Sequence, residues 1–317
     1  MSEAVEVLVI VVNYRTAALT IECLRSVSAA RSEVDGLRAI VVENGSGDGS
    51  AERLAAAIGS EGWESWATLA TLPENVGFAR GVNHGYRHGP PARWVLLLNS
   101  DACLHAGALG YSCARMREDP ALGAFSCLVL NADGSVQNVA RRFPTPARLC
   151  LETLALTFRF PALFGWADID DLGWDRRTTR RDVDWIGGAF LLLRGEMIER
   201  IGLLDADFFF YGEDIEFCHR VKRAGFRRRY DPGVAVSHIG AASSHDASAL
   251  DWRKRQLWSA RYRVLRKCHG RLAATLVRQL DLIATAVRAG YSRLRRGGAD
   301  PQTRVWQDHL KLLRELT

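Results

Sequence analysis

Residues 5–15 read VEVLVIVVNYR. Val5–Val12 is a strand-length stretch, apolar without a break from Val7 to Val12 and closed by the polar groups of Asn13, Tyr14 and Arg15. A strand without polar alternation is buried on both faces, as in a parallel sheet covered by helices. The sequence that follows repeats the theme. Thr16–Ala30 is predicted helical, with Leu19, Cys23, Leu24 and Val27 on one side. Leu37–Val42 is a second strand, followed by a turn cluster rich in Gly, Ser and Asp at Asn44–Ser50. Ala51–Ile58 is helical, Trp66–Leu72 a short strand, Phe78–Arg87 a helix and Trp94–Leu98 another buried strand. This alternation implies right-handed βαβ units and a mostly parallel sheet.

The rhythm changes after Asn99. Ala106–Arg117 is a helix stopped by Asp119-Pro120. Leu122–Leu130 and Val136–Ala140 are predicted as strands joined by an Asn-Ala-Asp-Gly hairpin turn. Residues 141–180 read as a long irregular loop with Pro144, Pro146 and Pro161. Val183–Leu193 is strand-like, Gly195–Ile201 a short helix, and Glu213–Ala224 a helix ended by Gly225. Phe226–Tyr230 and Val234–Ser237 are short strands, and from Leu250 the pattern is helical, with Gly270 dividing two helices.

Composition narrows the class. The 317 residues are 48% hydrophobic and 25% charged, which excludes dominant disorder and collagen-like architectures. No apolar run approaches the roughly 18 residues of a membrane span. The N-terminus lacks the basic region and cleavage site of a secretory signal. Seven cysteines without a C-x-x-C pair argue against a disulfide framework or a zinc site and point to a reducing cytosol. The net charge of +6 is unevenly placed. Residues 251–296 carry 13 Lys/Arg against Asp251 and Asp281, while residues 1–250 sum to −5. A basic tail on a mildly acidic body points to an anionic partner.

The first βα turn has no G-x-G-x-x-G, and no G-x-x-x-x-G-K-[ST] occurs, so a dehydrogenase or P-loop NTPase is disfavoured. Parallel sheets still bind ligands at the carboxyl ends of their strands. There the chain places Asn13, Tyr14 and Arg15; Glu43, Asn44, Ser46 and Asp48; Asn75; and Asn99, Ser100 and Asp101. Each cluster alone also fits helix caps and turns. Four together favour a nucleotide site. Asp101, at the end of a buried strand, suits Mg²⁺ or Mn²⁺ bridging a diphosphate, or an N-cap. Glu213, Asp214 and Glu216 open a helix whose positive end favours acids. Phe208–Tyr211 just before would desolvate them and make a better base. His238 follows the last strand, where it can return to the same crevice.

In order and spacing these stretches resemble the family 2 glycosyltransferases of the GT-A fold, in their rhamnosyltransferase-like branch. The match rests on VVNYR at 11–15, VENGSGDGS at 42–50, ENVGFARGVNHG at 74–85, LLLNSDA at 96–102, WIGGAFLLLRGEMIERIGLLDADFFFYGEDIEFCHRVKRAGF at 185–226 and SHIG at 237–240. The resemblance implies a Rossmann-like, mostly parallel central sheet flanked by helices. The catalytic domain would span 1–246, with a nucleotide-sugar half to about 102 and an acceptor half after it. A basic helical tail would follow over 247–317. It assigns Asn13, Tyr14, Arg15, Glu43, Asn75, Arg80, Asn99 and Asp101 to the nucleotide sugar. Glu43 stands where the family has Asp, and Asn99-Ser100-Asp101 where it has D-x-D. Asp101 and His238 would hold the metal, Mg²⁺ or Mn²⁺. Asp214 would be the catalytic base, with Gly187, Gly188, Ala189 and Glu213 beside the acceptor. The implied reaction is an inverting transfer, with dTDP-rhamnose the first donor and UDP-hexoses the alternative, onto a glycan or a polyprenyl-diphosphate-linked saccharide. The competing readings are a sugar nucleotidyltransferase and a catalytically silent nucleotide-sugar scaffold.

The apolar stripe of the tail runs through Trp258, Tyr262, Leu265, Leu272, Leu276, Leu280, Ile283, Val287, Tyr291 and Leu294. With its arginines it reads as an element for an anionic membrane surface, which would place the protein peripherally on the inner face of the cell membrane. It reads equally as a packing face against the catalytic domain or a second subunit of a homodimer. Nucleic acid is not expected, since no base-stacking motif accompanies the charge.

Overall fold

The computed structural model describes residues 4–239, 247–298 and 300–316, with side chains from 251 onward in the second stretch. Gly240 of the SHIG stretch and position 246, the expected domain end, lie outside the described residues. The chain divides into two compact units, Met1–Arg141 with Gly173–His245, and Arg142–Leu172 with Asp246–Thr317.

The first unit opens with β1 (Val5–Asn13), α1 (Ala17–Ala30), β2 (Leu37–Asn44), α2 (Ser50–Ser60), β3 (Ala67–Leu72), α3 (Phe78–His88) and β4 (Ala92–Asn99). The strands pair parallel in the order β3-β2-β1-β4. Val7–Val11 are buried, as their apolar run predicts. Next come β5 (Ala102–Leu104), α4 (Ala108–Glu118), β6 (Leu122–Leu130) and β7 (Ala140–Arg141). The hairpin turn forms, with Asn131 O accepting from Gly134 N, but Val136–Ala140 is not the expected strand. Pairing stops at a single Leu130–Val136 bridge, and the stretch peels away with the Gln137 side chain turned toward His238.

The expected loop over 141–180 is largely wrong. Residues 146–164 form α5 (Pro146–Thr153), α6 (Leu156–Arg159) and α7 (Pro161–Phe164). Pro146 and Pro161 sit in the first turn of their helices, where a missing N–H costs nothing, so they start helices rather than break them.

The chain then returns to the first unit as β8 (Arg181–Asp182), β9 (Trp185–Ile186), β10 (Phe190–Arg194), α8 (Gly195–Ile201), α9 (Glu213–Arg223) and β11 (Arg227–His238). The predicted single strand Val183–Leu193 is broken at Gly187-Gly188-Ala189. The two predicted strands near the end are one, bent by a bulge between Asp231 and Ala235 that absorbs Pro232, which cannot donate to a ladder. β10 runs antiparallel to both β4 and β6, β11 lies parallel to β6, and β5 and β8 add antiparallel to β11. The β3-β2-β1-β4 portion is purely parallel, whereas the remainder mixes the parallel β6–β11 pair with antiparallel ones. The later strands enter without the βαβ crossovers that impose one direction.

The second unit adds α10 (Ala247–His269), α11 (Arg271–Arg296) and α12 (Pro301–Glu315), with Gly270 dividing the first two as expected. Leu149 of α5 packs with Leu265, Ala274 and Val277 in its core. Asp281 is buried in α11 and accepts hydrogen bonds from Tyr262 Oη at 2.9 Å, Arg261 Nε at 3.3 Å and the Thr153 hydroxyl. Tyr262 and Leu265 of the sequence stripe thus face the interior, whereas Leu272, Leu276, Ile283, Val287, Tyr291 and Leu294 are exposed. Among the described residues no helix is long and apolar enough to cross a membrane.

The loop after β2 is held against the loop after β3 at Gly45. Its φ is +65°, and a Cβ there would lie 2.2 Å from the Glu74 carbonyl carbon. Gly47 has the same φ with nothing within 4 Å. Gly45→Ala is therefore expected to destabilise the fold by about 3 kcal/mol or more, and Gly47→Ala by about 1 kcal/mol. Denaturant midpoints of the two variants, which differ in clash but not in backbone conformation, check this.

Candidate active site

The carboxyl ends of β1, β2 and β4 supply one wall. Asn13 is fully buried, and its Oδ1 accepts from Thr20 Oγ1 at 2.9 Å and Thr16 Oγ1 at 3.2 Å. Its Nδ2 reaches Ser46 Oγ at 3.4 Å. Ser46 Oγ also accepts from Arg15 N at 2.9 Å, and the Ser46 carbonyl from Arg15 Nε at 3.2 Å. These bonds hold Arg15 at φ 57°, a left-handed conformation that costs a non-glycine residue about 1 kcal/mol or more. Tyr14 lies under the Arg15 guanidinium, and Arg15 is exposed. Glu43 is buried and caps the turn by accepting from Ser46 N at 2.9 Å.

Asn75 and Asp48 serve turns. Asn75 Oδ1 accepts from Gly77 N at 2.9 Å and Asn44 Nδ2 at 3.0 Å, and Asp48 accepts from Ser50 N at 3.1 Å. Arg80 Nε donates to Ala206 O at 3.0 Å. Asn83, which the motif reading passed over, grips Leu204 by both backbone groups, at 2.7 and 3.2 Å. At Gly77 a Cβ would lie 2.5 Å from Phe209 O. Together α3 and Gly77 anchor the segment leading into α9.

Asp101 and His238, distant in sequence, come together. His238 Nε2 lies 3.1 Å from Asp101 Oδ1 and 3.1 Å from Asn99 Nδ2. Gln137 sets the ring. Its Nε2 donates to Asn131 Oδ1 at 2.6 Å and to His238 O at 2.7 Å, so its Oε1 faces His238 Nδ1 at 2.8 Å and takes that proton. Nε2 is then the acceptor nitrogen of the ring, turned toward the Asn99 amide and the Asp101 carboxylate, the orientation a metal-ligating imidazole needs. Gln137 was missed because a polar residue in a predicted strand carries no signal of its own. Among the described residues no three His, Cys, Asp or Glu side chains form a metal cluster.

Asn99 N donates to Ala189 O at 3.2 Å, and Gly187 N to Val139 O at 2.7 Å. This brings the Gly187–Ala189 break beside the end of β4. A Cβ at Gly188 would meet nothing within 4 Å, so space is open above the backbone there. The strip 137–141 continues to Arg141, whose guanidinium lies over Trp185, 5.4 Å from the ring centroid, and which favours the charged form of Asp214. Arg141, like Asn83 and Gln137, is a residue the sequence did not single out.

The three acids of α9 divide by role. Glu216 receives Arg220 Nε at 2.9 Å on both oxygens, while Arg220 also binds the carbonyls of Ile201 and Leu203. That network is structural. Asp214 is half-buried, and its Oδ1 accepts from Ile215 N at 2.8 Å. Desolvation nevertheless raises its pKa, outweighing this bond and Arg141. Glu213 is buried, with Oε2 lacking a hydrogen-bond partner, and burial and the Asp214 charge raise its pKa further. Tyr211 before them is held at φ 68°, so the turn into the acids is strained.

A carboxyl whose folded pKa exceeds its unfolded value weakens the fold once ionised. Its contribution is intact below the unfolded carboxylate range and is lost as pH rises through the folded value. Glu213→Gln should therefore raise stability at neutral pH by roughly 1 kcal/mol or more, with the gain vanishing below about pH 4. Thermal unfolding of both proteins across pH measures it; an equal gain at every pH would show the effect is not the charge.

Residues 4–259 match the family model described as glycosyltransferase like family 2. The N-acetylglucosaminyl-diphospho-decaprenol L-rhamnosyltransferase of Mycobacterium tuberculosis is 26% identical over 220 residues, covering 65% of this chain and 67% of its own. Rhamnosyltransferase WbbL of Escherichia coli K12 is 32% identical over 87 residues, 26% of this chain and 33% of its own. The solved mannosyltransferase PcManGT from Pyrobaculum calidifontis, in complex with GDP-Man and Mn²⁺, has a TM-score of 0.56 at 19% identity, over 99% of this chain and 86% of that one.

Proposed function

The chain belongs to glycosyltransferase-like family 2, and from that premise we propose an inverting transfer of a hexose, rhamnose from dTDP-rhamnose in the first instance, to a polyprenyl-diphosphate-linked saccharide. The observation that carries the reading is the meeting of Asp101 and His238 at the carboxyl end of β4, where an α/β sheet binds its ligand. The names of the M. tuberculosis and E. coli relatives favour rhamnose, and the former a diphospho-polyprenol acceptor. UDP-linked hexoses form the alternative donor class. A polyprenyl acceptor is confined to a bilayer, so an enzyme serving it works at that surface.

Asp214 accepts the proton of an acceptor hydroxyl, and the oxygen attacks the anomeric carbon. The bond from that carbon to the diphosphate breaks, and the diphosphate leaves with the electron pair. The acceptor lies over the open backbone at Gly188, with Glu213, kept from ionising by burial, orienting it. Arg15, exposed at the end of β1, faces the nucleotide. Asp101 after β4 and His238 at the end of β11 fit a divalent ion, which one carboxylate and one imidazole nitrogen would hold. The mixed donor set favours Mn²⁺ over Mg²⁺. Such an ion, when bound, neutralises charge on the departing diphosphate.

Asp214→Asn should keep donor affinity and lose about 10²–10⁴-fold in transfer rate. Because burial raises the Asp214 pKa, the wild-type rate should fall as pH drops, with the acid limb above the ordinary carboxylate range near 4. A pH–rate profile whose acid limb lies at that ordinary value contradicts the assignment.

Asp101→Ala should abolish the metal-dependent part of donor binding. A thermal-shift panel of nucleoside diphosphates and nucleotide sugars, with and without Mn²⁺ or Mg²⁺, reads both this loss and the preferred donor. Identical donor stabilisation in wild type and variant would remove Asp101 from the site.

A further inference from the structure

α11 has two faces without exposed charge. One is buried and carries Ala274, Val277, Asp281, Thr285, Ala289 and Ser292. About 160° round the helix, at 3.6 residues per turn, lie Leu272, Leu276, Ile283, Val287, Tyr291 and Leu294, between 59% and 89% exposed. The helix was free to close a core with one side only, yet its other side carries six large apolar groups over about 33 Å of length. Exposed apolar surface of this continuity marks a contact with another body. The same unit exposes Phe158, Leu163 and Trp166 from its short helices.

Charge identifies the body. α11 contains six arginines and one acid, and that acid, Asp281, is buried. Arg271, Arg293, Arg295 and Arg296 are exposed at the two ends of the helix. A second copy of the chain meeting this face would set these arginines against their own counterparts, with no exposed acid on the helix to pair them. An apolar stripe bordered by arginine is instead the pattern of a helix lying in the plane of a bilayer with anionic headgroups. Since α11 is not apolar enough to span, it would lie along the surface. We propose that this face of the second unit docks on an anionic lipid surface, with the six apolar side chains entering the acyl boundary and the arginines meeting lipid phosphates. The inference stands independently of which sugar or acceptor the first unit uses.

Flotation of the full-length protein with vesicles tests it. Vesicles of three parts phosphatidylcholine to one part phosphatidylglycerol should bind it at least tenfold more tightly than phosphatidylcholine alone. Replacing Leu276, Ile283 and Val287 together by Glu should weaken binding at least tenfold, with the thermal midpoint and turnover on a water-soluble acceptor unchanged. Charge reversal of Arg293, Arg295 and Arg296 to Glu, which leaves the apolar face whole, should weaken it comparably. Asp214→Asn should float like wild type, which separates failure of docking from failure of transfer. The proposal is overturned by no flotation, by equal binding to neutral and anionic vesicles, or by a concentration-dependent dimer that the triple Glu variant dissolves while vesicles bind neither protein.

Discussion

The pairing of β10 with β4 is the constraint on which the catalytic arrangement depends. Phe190–Arg194 lies antiparallel along Trp94–Leu98, and the bond from Asn99 N to Ala189 O ends the ladder. Both strands are apolar and buried, so a slip of one residue would turn every side chain to the wrong face. The register therefore places Gly187–Ala189 at the level of Asn99, and with it the strip through Val139 and Arg141. The parallel β3-β2-β1-β4 portion and the portion that carries Asp214, the proposed base, are joined through this ladder.

Around that joint the protein uses hydrogen bonds to backbone more than ion pairs. Ser46 gathers Asn13, Arg15 and Glu43; Asn83 and Arg80 tether 204–206; Gln137 orients His238. Most of these bonds are at least partly shielded from water, where their directionality matters most, while that of Arg80 is exposed. Two non-glycine residues in left-handed conformation, Arg15 and Tyr211, stand on the approaches to the two halves. Strain at such positions persists only where the surrounding contacts over-determine it.

The second unit follows a different economy of surface. A small core around Leu149, Leu265 and Val277 and one buried carboxylate hub hold its helices, leaving a long apolar face on α11 in water. Hydropathy periodicity found the apolar residues in this segment but could not divide them. Residues 262 and 265 and residues 272–294 share one spacing, and only packing separates the inward set from the outward one.

Local patterns were enough for the alternation from β1 to β4, the glycine between α10 and α11, and the position of every strand-end polar residue, because each depends on residues within one turn or one strand. The family motifs carried Asp101, Asp214 and His238 as isolated positions. Tertiary structure decided the rest. The prolines of 146 and 161 start helices because a first-turn position excuses the missing N–H, a fact invisible until the helix exists. The bulge that merges two strands into β11, and the Gln137 and Arg141 side chains that tune His238 and Asp214, arise from contacts made by residues scores of positions apart. Desolvation of Glu213 and Asp214 is likewise a property of what folds around them, since a charge in a sequence has no dielectric until the chain encloses it.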